Sequence, residues 1–296
     1  MKRVLVSLLF ILIGIYLTLS FFDSSDYMLE KKFWYLKKDF ISLANDPKSS
    51  PEQEFKALAR RYDELITENP DTALGGQIIL QKGLVYSLMK DYQSARAAFE
   101  KILKLYTDDE ALNAETLFQI GKTYEAEGNV PQAVKMYQTA QEKYPTTLTG
   151  IKMPLYTANY YERENKGAQA QQAYAKAVDF YQHIYEQYPQ SRIGYMALGF
   201  QATSYLTQEN WEQSLDVLER LLLDFPRMHK ASDPQGPVLI KTINQVAIER
   251  LQDTDRAVRI YKKFIDQYPQ HPFKLGLDKL IDKLKSLGAK EQESAS

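Results

Sequence analysis

The stretch GKTYEAEGNVPQAVKMYQTAQEKYP, Gly121 to Pro145, decides how the chain is read, because GLVYSLMKDYQSARAAFEKILKLYT, Gly83 to Thr107, repeats its spacing thirty-eight residues upstream. Both begin on glycine and place tyrosine three residues on (Tyr86, Tyr124), alanine twelve on (Ala95, Ala133) and an aromatic sixteen on (Phe99, Tyr137). The same ruler fits three further stretches. It finds Ala158, Tyr161, Ala170 and Tyr174, then Ala202, Tyr205, Ser214 and Leu218, then Gln245, Ile248, Ala257 and Tyr261. Five units on one ruler point to a repeat architecture.

The spacing suits a pair of helices. Glycine inside a helix costs about 1 kcal/mol against alanine, which makes sense where another backbone must come close. The two small residues of each unit are therefore expected to mark a helix crossing. Polar stretches between them, such as MKDYQS and AEGNVPQ, predict turns. The aromatics Phe99, Tyr137, Tyr174 and Tyr261 are expected to wedge into the next layer. Pro145, Pro189, Pro226 and Pro269 close the second helices, since proline disfavours helical geometry in the residue before it. Most of the 21 tyrosines are thereby read as core residues rather than as site residues.

These residues resemble the tetratricopeptide repeat, over about Ala73 to Pro269, with IGKTYEAEGNVPQAVKMYQTAQEKYP as the nearest copy. The usual tryptophan near the start of the first helix is replaced by Ile79, Leu117, Pro154 and Leu198. The resemblance implies an all-α solenoid of helix-turn-helix units, coiled into a right-handed superhelix with the first helices lining a concave groove. It maps partner-binding positions onto Gln77, Leu80 and Leu84, onto Phe118, Lys122 and Glu125, onto Asn159, Glu162 and Arg163, and onto Met196, Thr203 and Leu206. A protein or peptide partner, extended or helical, is the expected occupant. Only Lys122, Asn159 and Arg163 match the recurring asparagine and basic residues of the family's carboxylate-clamping version, so capture of a chain terminus is not expected.

The unit lengths depart from thirty-four. The small-residue spacings are 38, 37, 44 and 43, and the terminator of the Ala158 unit arrives seven residues late at Pro189, about two extra helical turns. RMHKASDPQGP, Arg227 to Pro237, reads as a long loop, a contact element or an indifferent insertion. The expected organisation is a membrane segment at 1–25, a degenerate helical pair at 26–72, five repeats at 73–270, an amphipathic capping helix at 271–288 and a loose tail at 289–296.

Met1-Lys2-Arg3 precedes nineteen residues without a charge, Val4 to Phe22. As a helix rising about 1.5 Å per residue this run nearly spans the ~30 Å hydrocarbon core. It is longer than the apolar region of most cleaved signals, so an uncleaved anchor is the favoured reading and a cleaved signal the alternative. The basic start favours the N-terminus inside and the repeats outside, although Lys31, Lys32, Lys37 and Lys38 follow the run. Those lysines suit lipid headgroups. Envelope repeat proteins of bacteria look similar, among them outer-membrane assembly lipoproteins, division coordinators and the anchored accessory subunit of the Sec translocon. The lipoproteins need a lipidated cysteine, and this chain has no cysteine.

With 296 residues, 44% hydrophobic, and a net charge of -1, the chain is a folded protein with little to attract nucleic acid. No phosphate-cradling glycine loop, zinc-protease motif or nucleophile elbow occurs. His183, His229 and His271 lack ligand spacing, and the acids of TDDEALNAE (Thr107–Glu115) fall where helix caps are needed. No catalytic residue, metal, cofactor or small-molecule substrate is expected. The expected function is a membrane-anchored extracytoplasmic (periplasmic) scaffold of the inner membrane, binding protein partners in envelope assembly. A holding chaperone beside a translocon and a soluble periplasmic protein are the alternatives.

Overall fold

The structure is a computed structural model that describes residues 27–47, 50–70, 72–228 and 235–295. The expected membrane segment at 1–25 therefore lies outside the described residues, as does the centre of the long loop, 229–234. Every regular element among the described residues is helical. The chain divides between Gly150 and Ile151 into two compact units.

In the first unit, α1 covers 27–45. It is followed by α2 (Glu52–Glu68), α3 (Gly75–Leu88), α4 (Tyr92–Leu105), α5 (Glu110–Ala126) and α6 (Val130–Lys143). The second unit holds α7 (Met153–Arg163), α8 (Gly167–Gln187), α9 (Arg192–Thr207), α10 (Trp211–Asp224), α11 (Gln235–Asn244), α12 (Thr254–Gln267) and α13 (Lys274–Ala295). Within each unit helices pack on their chain neighbours: α2 on α3, α3 on α4, α4 on α5 and α5 on α6 in the first, α7 on α8, α8 on α9 and α9 on α10 in the second. Such local pairing follows from hairpins too small to bury their own apolar sides.

The turn inside each hairpin recurs to the residue. Seven positions after each ruler origin stands a left-handed residue: Lys90 (φ 60), Gly128 (φ 73), Asn165 (φ 56), Glu209 (φ 57) and Gln252 (φ 55). Only Gly128 escapes the steric cost of this conformation. The turn is held by a Schellman-type bond, as from the Asp91 N–H to the Tyr86 carbonyl at 3.0 Å and from Asn129 to Tyr124 at 2.8 Å. Asp91, Asn129 and Asp253 then cap the second helices, each side chain accepting from the backbone N–H three residues on. Second helices stop at Tyr144, Tyr188, Phe225 and Tyr268, each one residue before proline, as the sequence predicts.

Three expectations need correction. The glycines do not make room for a backbone. A Cβ on Gly83 would stand 2.3 Å from the Phe99 ring, and one on Gly121 would stand 2.3 Å from the Tyr137 ring. The ring belongs to the second helix of the same hairpin and folds back onto the first, while Phe99 also shares a buried cluster with Leu112 and Ile120 of α5. At Gly83 and Gly121 the aromatic at sixteen and the glycine at zero thus form one device, because the ring lies where a Cβ would stand.

The last unit breaks the ruler. Gln245, its expected small residue, is exposed, while Ile243, Val246 and Ala247 are buried. Here α11 passes into a π-helical turn, Gln245–Arg250, closed by the Asp253 N–H on the Ala247 carbonyl at 2.8 Å. That bond spans one residue more than its counterparts, so the π turn absorbs an insertion and rotates the preceding helix out of register. Finally, α13 runs to Ala295, through the expected tail beyond 288. Ala289, Lys290, Glu291 and Gln292 are strong helix formers, and no proline stops them.

Candidate functional site

The hairpin α5–α6 brings its predicted residues together on one ring. Phe118 lies 5.8 Å from Tyr137, centroid to centroid. The Tyr137 hydroxyl donates to Glu125 at 2.7 Å, and Lys122 reaches the same carboxylate at 3.0 Å. Tyr137 therefore forms the floor on which Phe118, Lys122 and Glu125 stand. In the neighbouring hairpin, Leu80 and Leu84 are half-buried against the cluster around Phe99, and Gln77 is exposed. Glu115, just above, accepts from Gln119 at 2.7 Å and from Thr149 at 2.8 Å.

The second unit repeats the device in α7–α8. The Tyr174 oxygen lies 2.6 Å from Asn159 Oδ1 and 2.7 Å from Glu162 Oε2. One phenolic hydrogen serves one acceptor, so it goes to the carboxylate, and the Asn159 amide is best turned to donate to the phenol oxygen. Burial first, and then the bond to Glu162, raise the Tyr174 pKa well above the ordinary phenol value. Tyr261 also bonds an asparagine, donating to Asn244 Oδ1 at 2.9 Å. The Arg163 guanidinium lies over the rings of Tyr156 (5.4 Å) and Tyr160 (5.6 Å). Lys122 meets Glu125, Asn159 meets Tyr174 and Arg163 meets tyrosine faces.

Met196 and Thr203, mapped to one site, fall apart. Met196 is half-buried against the cluster of α7 and α8. Thr203 is exposed, its hydroxyl donating to the Gly199 carbonyl at 2.8 Å. It stands at the mouth of an apolar cavity of about 330 Å³ between α9, α10 and α11, with Ala202, Leu206, Leu218, Val238 and Thr242 in its wall. Ala202 and Leu218 occupy the positions held by Gly121 and Tyr137 in α5–α6. Where the other hairpins lay a ring on the first helix, this one has a leucine, and the volume stays open. A cavity of this size lies at the lower end of ligand sites and fits one large apolar side chain. The sequence reading missed Val238 and Thr242, because the register of α11 depends on the π turn. The leucine at a ring position was the signal that could have pointed there.

Asp109 and His271 turn out structural. Asp109 accepts from the Leu112 N–H at 2.9 Å and so caps α5. His271 accepts from the Phe273 N–H through Nδ1 at 3.1 Å. Its Nε2 must then carry the hydrogen given to the Pro226 carbonyl at 3.0 Å.

Comparison with known families agrees with the geometry. Family models described as tetratricopeptide repeat match residues 77–146 and 246–271. These two stretches thus match tetratricopeptide repeats. No curated protein matches the sequence. Among solved structures it is similar to BtubC (BKLC) from P. vanneervenii, at 13% identity and a TM-score of 0.46, covering 79% of this chain and 91% of that one. TTC0263, a thermophilic TPR protein of Thermus thermophilus, gives 16% identity and a TM-score of 0.36, covering 71% and 98%. YrrB, described as a TPR protein with an unusual peptide-binding site, gives 16% and 0.32, covering 75% and 99%. At this level of likeness nothing about ligand or partner transfers.

Proposed function

We propose that the protein is a non-enzymatic scaffold, anchored through residues 4–22 with its repeats on the periplasmic side of the inner membrane, that holds a peptide segment of a partner protein against the first helices of its hairpins. One bulky apolar side chain of that segment enters the cavity above Leu218. The cavity carries this reading: it is open, apolar, and bordered by Thr203 and Thr242, so that a bulky side chain can enter it from a peptide on the surface. The charge-free run Val4–Phe22 supports the anchor, and its basic start supports the orientation.

The test is photo-crosslinking in cells from position 203, with and without Leu218→Phe. The ring should occupy the cavity and abolish the captured adduct, while the unfolding midpoint shifts by less than about 1.5 kcal/mol equivalent. An adduct that survives the filled cavity would remove the pocket from the site. A reporter active only outside the cytoplasm, fused after Ser296, should be active, and silence would place the repeats on the other side.

A further inference from the structure

The first described helix has two apolar faces, and only one is buried among the described residues. Leu29, Phe33 and Leu36 are buried with Phe55, Leu58 and Tyr62 of α2. On the opposite side Tyr27 (61% exposed), Trp34 (53%) and Ile41 (54%) face outwards. Together with Lys31 and Lys38 they recur in alternating steps of four and three residues, which puts all five on one stripe. The ammonium of Lys38 sits 4.9 Å over the Trp34 ring, and that of Lys31 sits 5.9 Å over Tyr27. No acid stands within the stripe; Glu30 and Asp39 lie to its sides, and Asp39 is bonded to Arg61 at 2.5 Å. Exposed aromatics are not the rule for a terminal helix here, since α13 turns Lys279, Asp282 and Lys283 outwards.

We propose that this stripe lies on an anionic lipid surface, with Tyr27, Trp34 and Ile41 at the boundary between headgroups and acyl chains and Lys31 and Lys38 on lipid phosphates. The composition is that of an interfacial helix: amphipathic rings prefer the headgroup level, and lysine stems lie along apolar surface while their charge reaches the phosphates. The chain outside the structure brings the helix there. The charge-free run ends at Phe22, and the few residues before Tyr27 reach at most roughly 18 Å even when extended. This proximity rests on the anchored reading. Excess lysine without acid favours lipid over a protein partner, whose surface would present mixed charge.

Trp34 and Trp211 are the only tryptophans, which makes the test direct. The full chain carrying Trp211→Phe is reconstituted into vesicles of phosphatidylglycerol and phosphatidylcholine bearing brominated acyl chains. Trp34 emission should be blue-shifted and quenched, and quenched less in phosphatidylcholine alone. Lys31→Glu with Lys38→Glu should lower the quenching about twofold or more while the chain still floats with the vesicles, each lysine contributing about fivefold in partition. Trp34→Phe, with Trp211 kept, should leave emission that bromine does not quench. A chain that floats with Trp34 unquenched overturns the lipid contact and leaves the anchor standing. A chain that fails to float overturns both. Quenching that is equal in neutral vesicles and unmoved by the lysine reversals overturns the role of lipid charge, and a crosslink between two copies at position 31 with Trp34 unquenched would assign the stripe to self-association.

Discussion

The hairpins α5–α6 and α9–α10 follow one plan and reach opposite surfaces. In α5–α6, glycine at the ruler origin lets the Tyr137 ring lie on the first helix, where its hydroxyl ties down Glu125 and its face meets Phe118. In α9–α10, alanine and leucine stand at the same two positions, no ring covers the helix, and the space becomes a cavity of about 330 Å³. A binding pocket in a repeat array can thus arise by omission of a core side chain. The polar hairpin presents charge on a closed floor, while the apolar one presents volume.

The strongest way to break the comparison is to remove the ring where it exists. Tyr137→Ala should destabilise the protein by about 3–5 kcal/mol in denaturant unfolding, because it opens a cavity and removes one of the bonds that hold the Glu125 carboxylate. A loss below about 1 kcal/mol would mean the ring is not part of the core. Next comes Gly121→Ala. Overpacking against the ring should cost about 1–3 kcal/mol, set against a gain of about 1 kcal/mol in helix propensity. Combined with Tyr137→Leu, which copies the Ala202 and Leu218 pair, the alanine should become neutral or stabilising. A coupling energy near zero in that double-mutant cycle would dissolve the claim that glycine and ring are one device.

Smaller effects separate the hydroxyl-bearing rings from Phe99, which has none. Tyr174→Phe should cost about 0.5–1.5 kcal/mol near neutral pH, as its bonds to Asn159 and Glu162 are lost. The pH dependence sharpens the point. Burial raises the pKa of Tyr174 and Tyr261 above the ordinary phenol value of about 10. The native state then keeps protons that the unfolded chain gives up, so stability is fully present below about pH 10 and falls as pH rises beyond it. Tyr174→Phe should make that alkaline decline shallower, whereas an equal slope in both proteins would show that Tyr174 does not contribute to it.

Particular residues show how far the sequence could be read. Ala95, Ala133 and the prolines located both helices of each hairpin, since the periodicity records local geometry that every copy must satisfy. Of the predicted groove residues, Phe118, Lys122 and Glu125 do meet, because they share one helix face. Met196 and Thr203 also share a helix, yet pack toward different neighbours. Val238 was out of reach, because its register is set by a π turn that no local pattern announces.

By itself the sequence determined the helical repeat, the turn positions and the absence of any ordinary catalytic motif, because these follow from short-range spacing and residue chemistry. Only the tertiary structure decided that the glycines serve rings rather than backbones, that Leu218 leaves a pocket, and that α1 keeps a second apolar stripe exposed among the described residues. Those outcomes depend on which side chains fill volume between separate helices, and volume is a property of the packed whole rather than of any one segment.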